Sequence, residues 1–327
     1  MAAYERIFLT GGAGFVGSHV AAALAAAYPD ARRAILLRPG ETGANPAFTP
    51  VAGDLLDEVA IERIVAELRP DLVVHLAGQA SIGQAAKAAE TTWRVNFHGA
   101  FSLGAALARH APQAVVLFSS TAAAYGASFR DGALTEEAAV RPMDVYSRSK
   151  VAAESALGDV IGEEARLIVA RPVNHSGPGQ RSRNFVLASF AAQIAAIEAG
   201  EAEPRMKVGD LSKARDFLDV RDVVDAYMRL IARARDLPER VSIFNIGSGE
   251  ARTIASLLEE MRALARVPFE VEVDPKLLRP SGTDIASVAC DATKLRKATG
   301  WRPRFSARDM LGALLDEWRA AVASGQA

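Results

Sequence analysis

Residues 6–17 read RIFLTGGAGFVG, and this stretch decides how the rest of the chain is interpreted. Ile7 to Leu9 form a short apolar run typical of a buried strand. An alanine-rich segment from Ser18 to Ala27 predicts a helix just after the glycines. A strand, a glycine turn and a helix N-terminus in this order form a phosphate site, because the turn admits a close approach and the helix end offers free N–H groups.

The glycine spacing Gly11-x-x-Gly14-x-x-Gly17 differs from the commonest dinucleotide fingerprint by one residue in its first gap. Glycine turns are common, so the spacing alone is weak evidence. Here the turn lies between a predicted strand and a predicted helix, which is the context that the fingerprint requires. Gly17 would also let the helix pack tightly on the sheet. The stretch therefore predicts a dinucleotide site.

Strand and helix signals alternate through the rest of the first half. We predict strands at 34–37, 48–51, 72–76, 115–118 and 167–170, and helices at 58–68, 92–109 and 146–160. Apolar strands separated by helices favour an α/β protein with a doubly wound parallel sheet covered on both faces. After Arg171 the pattern is looser. There we predict helices at 185–199, 222–232 and 254–264 and a strand at 243–246, which together indicate a smaller C-terminal lobe.

The composition excludes several classes of function. A net charge of −1 over 327 residues gives no reason to expect nucleic acid or a membrane as partner. The single cysteine, Cys290, fits a reducing compartment and a structural role. The first strand begins too early for a signal peptide and no apolar run reaches the length of a membrane span, so we expect a cytoplasmic protein. The five histidines are scattered without ligand spacing, so no metal site is predicted.

Tyr146 and Lys150 are four residues apart on a predicted helix and therefore share one face. A phenol has a reference pKa of about 10, which is high for proton exchange at neutral pH. A nearby ammonium favours the phenolate and would lower that pKa. The pair alone is weak evidence, because Tyr and Lys are often spaced in this way on exposed helices.

Hydroxyl side chains that precede Tyr146 in the chain strengthen the interpretation of Tyr146 and Lys150 as a catalytic pair. Ser119, Ser120 and Thr121 follow a predicted strand and enter the loop 122–126, at the edge where open α/β sheets bind ligands. Hydroxyl, tyrosine, lysine and glycine turn in this arrangement resemble the short-chain dehydrogenase/reductase family, and in particular its extended branch, which acts on nucleotide sugars. The resemblance covers nearly the whole chain. It implies a Rossmann-like sheet domain at 1–170 plus about 216–249, and an α/β nucleotide-sugar-binding lobe at about 171–215 plus 250–327.

The resemblance also implies roles for individual residues. Thr121 would hydrogen-bond the reacting oxygen, Tyr146 would exchange the proton, and Lys150 would hold the nicotinamide ribose and tune Tyr146. The cofactor-binding residues that it implies are Gly11, Gly14, Phe15, Val16, Gly17, Asp54, Leu55, Leu76, Ala77, Gly78, Tyr146, Lys150 and Pro172. Asp54 has an alternative interpretation as a turn residue after a strand.

Arg38 ends the second predicted strand, where NAD-preferring relatives carry an acidic residue for the ribose hydroxyls. An arginine suits a 2′-phosphate instead, so NADP(H) is the preferred cofactor and NAD(H) the possible one. The alternative is a solvated surface arginine, and no second basic residue stands beside it.

Four further segments, 171–180, 208–220, 278–280 and 300–301, resemble those of GDP-mannose dehydratases and GDP-6-deoxy-mannose reductases within the branch. A nucleotide-diphosphate sugar, GDP-linked, is therefore the expected substrate. The substrate-binding residues that the resemblance implies, besides Thr121 and Tyr146, are Gln79, Asn174, Arg215 and Arg279. Arg215 and Arg279 would clamp the diphosphate, because a guanidinium can pair with two oxygens.

The residues after Thr121 differ from those of the dehydratases in this branch, and the difference bears on which reaction the chain catalyses. Dehydratases of this branch follow the catalytic Thr with Asp-Glu, whereas this chain has Ala122 and Ala123, which cannot transfer a proton. The resemblance therefore favours reduction of a C4 ketone with NADP(H). Two alternatives stay open: a nucleotide-sugar 4-epimerase that retains NAD, and a non-catalytic dinucleotide-sensing protein. Helices at 92–109 and 146–160 pair across a dimer in this family, so we expect a homodimer.

Overall fold

The strands alternate with helices along the first half of the chain. This computed structural model describes residues 3–129, 132–278 and 285–325. Its strands are β1 (Arg6–Thr10), β2 (Arg32–Leu37), β3 (Thr49–Ala52), β4 (Leu72–His75), β5 (Val115–Ser119), β6 (Arg166–Pro172), β7 (Asn174–Ser176), β8 (Arg205–Val208), β9 (Ala214–Arg215), β10 (Phe217–Asp219), β11 (Val241–Ile246), β12 (Arg252–Thr253), β13 (Glu270–Val273) and β14 (Ser287–Val288).

The α-helices of the described residues cover both faces of the sheet and build most of the lobe. They are α1 (Phe15–Ala27), α2 (Glu58–Leu68), α3 (Ile82–Lys87), α4 (Ala89–Trp93), α5 (Gly99–His110), α6 (Val145–Val160), α7 (Val186–Glu198), α8 (Val220–Arg233), α9 (Ile254–Arg262), α10 (Thr293–Thr299) and α11 (Ala307–Ala323). A 3₁₀ segment, Ala122–Ser128, follows β5.

Seven parallel strands form the main sheet, in the order β11-β6-β5-β4-β1-β2-β3. The chain runs outward from β1 to β3 and then returns to place β4 on the other side of β1. The carboxyl ends of β1 and β4 therefore flank a topological switch point, where open α/β sheets bind ligands. Thr10 at the end of β1 is level with His75, and His75 is level with Phe118 on β5.

Successive side chains of the strands enter different cores. Ile7 and Leu9 pack into a cluster with α1 and α8, whereas Phe8 packs into a second cluster with α2, α5 and α6. Because both faces are buried, the strands need apolar residues at every position. The predicted Rossmann-like α/β class is confirmed. A third cluster, formed by α7, α9, α11 and β8, is the core of a smaller lobe.

The division of the chain into domains at 1–170 plus about 216–249 and at about 171–215 plus 250–327 stays a prediction. Cys290 and Trp301 pack into the first cluster, on the sheet, although they follow the lobe in sequence. Cys290 is buried, and burial raises the pKa of its thiol. The structural role predicted for this cysteine is therefore consistent with its surroundings.

Two helices differ from their predicted bounds for physical reasons. Helix α1 begins at Phe15, three residues before the predicted start, because Gly14 is its N-cap and accepts the N–H of Ser18 at 2.9 Å. The helix predicted at 92–109 is interrupted by one π-helical turn, Arg94–His98. Such turns are common at functional sites, and this one carries Asn96.

Candidate active site

The glycine turn after β1 packs so closely on neighbouring backbone that Gly11 and Gly17 have no room for a side chain. Gly11 has a φ of +72°, and a Cβ there would lie 2.5 Å from the Ala77 nitrogen. A Cβ on Gly17 would overlap the carbonyl oxygen of Gly11, whereas Gly14 is exposed and has no neighbour closer than 3.3 Å. No acidic residue lies in the first turn of α1, and no side chain caps it. We call the turn at Gly11, Gly14 and Gly17, together with the uncapped N-terminus of α1, the cradle. Its close backbone and free N–H groups fit the pyrophosphate of a dinucleotide.

The end of β4 adjoins the cradle. A Cβ on Gly11 would contact Leu76 and Ala77, and one on Gly78 would lie 3.5 Å from Lys150 Nζ. The structure therefore brings together the glycine turn, the segment 76–78 and the predicted catalytic lysine. Phe15 and Val16 are partly buried at the start of α1.

Residues predicted near the adenosine end are less clearly placed for binding. Asp54 Oδ1 accepts the N–H of Leu56 at 2.9 Å, which matches its alternative interpretation as a turn residue. Leu55 is buried against Gly99 in the second cluster. Arg38 follows β2 as predicted, and its side chain is 71% exposed, with its Nη2 3.5 Å from Glu41 Oε1.

Thr121, Tyr146 and Lys150 converge beyond the end of β5. Thr121 is the N-cap of the 3₁₀ segment, where its hydroxyl accepts the N–H of Ala123 at 3.1 Å. Tyr146 lies in the first turn of α6, and its phenol is near enough to Thr121 for that hydroxyl to lower the pKa of Tyr146. Lys150 is buried one turn later, donates to the Ser119 carbonyl at 2.7 Å and lies 4.6 Å above the Phe118 ring.

A capping box holds the N-terminus of α6. Asp144 accepts the N–H of Ser147 at 2.8 Å, and Ser147 Oγ faces the Asp144 N–H at 3.3 Å. Because both ends of this loop–helix junction are tied, the direction in which Tyr146 leaves the helix is fixed.

Burial dominates the electrostatics of the three residues. It raises the pKa of Tyr146 to about 12, while the Thr121 hydrogen bond opposes that rise. It lowers the pKa of Lys150 to about 8, against the raising effect of Glu154. The expectation that Lys150 lowers the pKa of Tyr146 is not met here, because the ammonium is directed at Ser119 and burial of the phenol outweighs the other influences.

Sequence reasoning missed several polar residues beneath this group. Asn96 accepts the Gln79 N–H at 2.7 Å and donates to Ser149 Oγ at 3.0 Å, so it ties the segment after β4 to α6. A polar residue within a largely apolar helix could have indicated it. Glu154 forms a buried pair with Arg171, and its position four residues after Lys150 was the available signal.

His75 is a further buried group to which the sequence analysis gave no role in the site. Its Nδ1 lies 2.7 Å from Thr10 Oγ1, and its ring stacks on Phe118 at 5.5 Å. Burial, with a contribution from Lys150, lowers the pKa of His75 to about 3, so the imidazole is neutral at neutral pH.

The predicted substrate residues spread from the sheet edge into the lobe. Gln79 lies beside Asn96, with its side-chain oxygen accepting the Ser81 N–H at 3.1 Å. Pro172 ends β6, and Asn174 is exposed at the start of β7. Arg215 donates to the carbonyls of Ala214 and Ile285, both at 2.8 Å. Arg279 and Pro280 lie outside the described residues.

Ala122 and Ala123 follow Thr121 in the 3₁₀ segment, so methyl groups stand where a dehydratase of the branch has its acid and base. Across the described residues, no three His, Cys, Asp or Glu side chains gather in a metal-binding group. No helix in that part of the chain is long and apolar enough to cross a membrane.

Comparison with known proteins identifies the family. The model of the NAD dependent epimerase/dehydratase family matches residues 7–247. The chain belongs to this family. It is 36% identical to the GDP-6-deoxy-D-mannose reductase of Pseudomonas aeruginosa over 97% of this chain and 98% of that protein. A putative UDP-arabinose 4-epimerase of Arabidopsis thaliana is 28% identical over 96% of this chain and 76% of its own length.

Solved structures agree with the fold. The structure of RMD from Pseudomonas aeruginosa complexed with NADPH superposes with a TM-score of 0.79 and 35% identity, covering 97% of this chain and 99% of that one. A UDP-glucose 4-epimerase of Thermotoga maritima with UDP-glucose gives a TM-score of 0.81 and 26% identity, over 97% of this chain and 99% of that chain.

Proposed function

We propose that the protein is an NADP(H)-dependent reductase of the C4 ketone of a nucleotide-linked 4-keto-6-deoxy sugar. The substrate that we propose is GDP-4-keto-6-deoxy-mannose, which would become GDP-6-deoxy-mannose. The observation that carries the proposal is 36% identity with a GDP-6-deoxy-D-mannose reductase along nearly the whole of both chains. The convergence of Thr121, Tyr146 and Lys150 at the sheet edge supports it.

Bound NADPH would supply a hydride to the ketone carbon and leave as NADP⁺. Tyr146 would then give its phenolic proton to the ketone oxygen, which becomes the new hydroxyl, and would regain a proton from solvent. A pKa raised to about 12 keeps this phenol protonated at neutral pH, which is the form a reduction needs. Thr121 would hold the same oxygen, and Lys150 the nicotinamide ribose.

The cofactor site would extend from this centre along the carboxyl edge of the sheet. The cradle at Gly11, Gly14 and Gly17 would hold the pyrophosphate, and the exposed Arg38 would pair with a 2′-phosphate. The relative whose structure contains NADPH supports this choice of cofactor. The contacts proposed for Phe15, Val16, Asp54, Leu55, Leu76, Ala77, Gly78 and Pro172 follow the sequence resemblance.

The nucleotide sugar would lie between the sheet edge and the lobe. Phe217 on β10 pairs with Asn174 on β7, and Arg215 lies two residues earlier, so the two proposed diphosphate ligands stand on adjoining segments. Arg279 would complete the clamp, and Gln79 would face the sugar. The GDP moiety is proposed from the similarity to the reductase.

A 4-epimerase is the second candidate because several relatives are 4-epimerases, with 26–28% identity. The reductase is favoured by its higher identity and by Arg38, since net reduction needs a cofactor that leaves after each turnover. A non-catalytic sensor is disfavoured because Thr121, Tyr146 and Lys150 are all present at one edge of the sheet.

The test is oxidation of NADPH by the purified protein, followed at the absorbance band of the reduced nicotinamide. Freshly generated GDP-4-keto-6-deoxy-mannose is compared with the UDP- and dTDP-linked keto-sugars. We expect oxidation with the GDP sugar above all. No oxidation with any of them, together with release of tightly held NAD on denaturation, would favour the epimerase instead.

We also propose a cytoplasmic homodimer. Trp93 and Phe101 are 38% and 39% exposed, and Phe97 lies between them with ring centroids 6.2 and 6.4 Å away. An exposed aromatic row next to α6 suits a second copy of the chain. Light scattering should give twice the chain mass, and the double variant Trp93→Ser/Phe101→Ser should give one chain mass. A wild-type monomer would contradict this proposal.

A further inference from the structure

Glu154 accepts hydrogen bonds from two elements of the sheet edge. Its Oε1 accepts from Ser120 Oγ and, at 3.0 Å, from Arg171 Nε, while its Oε2 accepts from Arg171 Nη2 at 2.5 Å. Glu154 is 7% exposed and Arg171 is 3% exposed. Helix α6 is therefore joined through one side chain to the segment after β5 and to the end of β6.

Arg171 continues these contacts across the sheet. Its guanidinium lies 5.0 Å from the ring centre of Tyr125, whose hydroxyl donates to Asn245 Oδ1 at 2.7 Å. The Asn245 N–H donates to Glu136 Oε1 at 2.8 Å. Breaking such a buried pair leaves an uncompensated charge, although apolar residues of similar size would stabilise the fold equally well. Stability alone therefore does not explain why a buried ion pair stands here, whereas a role in the reaction does.

The position of Ser120 indicates what that role is. Ser120 stands between Ser119, whose carbonyl accepts a hydrogen bond from Lys150 Nζ, and Thr121, whose hydroxyl is near enough to Tyr146 to lower its pKa. Glu154 also lies one helical turn beyond Lys150 on α6. The same carboxylate therefore adjoins both halves of the proposed reaction centre.

We propose that Glu154, held by Arg171, is a positioning residue that fixes the segment Ser119–Thr121 and places a negative charge one helical turn from Lys150, an inference that rests on the proposed function. Glu154 itself touches neither cofactor nor substrate. It acts through the serine that it holds and through the charge that it places near the lysine.

The charged and titratable groups around Lys150 come from three elements. His75 on β4 is neutral, Tyr146 on α6 is a protonated phenol, and Arg171 on β6 is a cation. Burial lowers the pKa of Lys150, and the Glu154 carboxylate raises it. Removing that carboxylate should therefore lower the pKa further, so that the ammonium is lost at a lower pH. The alkaline limit of activity should move in the same direction.

Three variants separate charge from geometry. Glu154→Gln removes the charge, Glu154→Asp keeps it, and Ser120→Ala removes only the hydrogen bond to the segment after β5. The matched control is Glu198→Gln in the lobe, because Glu198 is 6% exposed and forms a similar two-bond pair with Arg319 at 2.7 and 2.8 Å.

The first readout does not depend on activity: titration of the Lys150 side chain by NMR, with the signal assigned from Lys150→Arg. The second is the pH profile of kcat/KM for the keto-sugar. We expect Glu154→Gln to lower the Lys150 midpoint and the alkaline limit by about one pH unit. Glu154→Asp should restore both, and Glu198→Gln should change neither. Ser120→Ala should reduce kcat about tenfold with an unchanged Lys150 midpoint.

A wild-type midpoint in Glu154→Gln would overturn the charge role, and a wild-type kcat in Ser120→Ala would overturn the positioning role. Should Glu154→Gln fail to fold, Glu154→Asp tests the charge role, because it keeps the carboxylate and should keep the wild-type Lys150 midpoint. A lowered midpoint in Glu154→Asp would contradict the charge role, and Ser120→Ala still tests the geometry. Absence of NADPH oxidation by the wild-type protein would instead count against the proposed function, while the NMR titration would still decide the charge role.

Discussion

The reaction centre and the outer binding residues differ in how firmly the fold holds them. Lys150 and Thr121 are buried, each has a hydrogen bond to the backbone, and Glu154 and Arg171 close the polar group beneath them. Arg38 and Asn174 are exposed. The fold thus fixes the groups proposed for chemistry before any ligand arrives, whereas those proposed to hold the two ends of the ligands remain near the surface.

This difference has a physical consequence. Chemistry requires hydrogen-bonding groups placed within about 0.5 Å, which only a packed and satisfied surrounding can hold. Binding of charged phosphates tolerates looser placement, because a charge acts over several ångströms. Changes in the buried centre should therefore reduce turnover, and changes at the exposed residues should mainly weaken binding.

The largest effect is expected for Tyr146→Phe. Loss of the phenolic proton should reduce kcat by about 10²–10⁴-fold, while NADPH affinity stays near the wild-type value. Steady-state kinetics and NADPH fluorescence titration measure the two. Tyr28→Phe, at the C-terminal end of α1, is the control and should leave both kcat and NADPH affinity unchanged. Activity surviving in Tyr146→Phe would remove Tyr146 as the proton donor.

Next is the cradle. Gly17→Ala places a methyl group against the Gly11 carbonyl, so the turn must shift. We expect a loss of about 1–3 kcal/mol in the free energy of unfolding and weaker NADPH binding. Gly312→Ala is the matched control in α11, where a Cβ meets no atom within 4 Å and alanine should be slightly stabilising. Urea unfolding and NADPH titration test both. Unchanged NADPH affinity in Gly17→Ala would contradict the proposed cradle.

A smaller effect is expected at the exposed Arg38, which is proposed to bind the 2′-phosphate end of the cofactor. Arg38→Ala should weaken NADPH binding by about tenfold, the value of one charge-assisted hydrogen bond, and leave NADH binding unchanged. Arg63→Ala, which removes another exposed arginine with a nearby glutamate, is the control. Dissociation constants for both nucleotides decide the matter. Equal losses for NADPH and NADH would show that Arg38 does not contact a 2′-phosphate.

The smallest effect at neutral pH concerns the buried His75. The folded state depresses its pKa to about 3, so the unfolded chain binds a proton first, near pH 6.5. The resulting loss of stability is absent above pH 6.5 and grows as the pH falls toward 3. In His75→Gln, the free energy of unfolding should therefore depend less on pH between 6.5 and 4. An unchanged slope would mean that His75 takes up its proton at the same pH in the folded and the unfolded chain.

The same contrast explains what the sequence could predict. Parallel strands covered on both faces need continuous apolar runs, so Ile7 to Leu9 and Leu72 to Leu76 were readily recognised. The glycine turn was found because it lies between a predicted strand and a predicted helix, whereas the roles of Thr121, Tyr146 and Lys150 came from the family resemblance. The structure places Thr121, Tyr146 and Lys150 at the same sheet edge, and their catalytic roles stay a prediction.

The missed groups depend on tertiary contacts. Glu154 and Arg171 are seventeen residues apart and meet only because α6 packs beside the end of β6, which no local pattern encodes. Asn96 lies on a π-helical turn that the helical periodicity could not predict. The effect of Lys150 on Tyr146 was misjudged because the pKa of the phenol depends on its burial, which only the folded structure provides.

The most direct test of the central claim is transfer of the hydrogen itself. The protein is supplied with NADPH that carries two deuterium atoms at C4 of the nicotinamide, together with GDP-4-keto-6-deoxy-mannose, and the sugar product is analysed by mass spectrometry and NMR. We predict one deuterium at C4 of the GDP-6-deoxy sugar for each NADPH oxidised. A C4-reduced or inverted sugar without deuterium, or NADPH consumed without a labelled sugar, would contradict the proposed reduction.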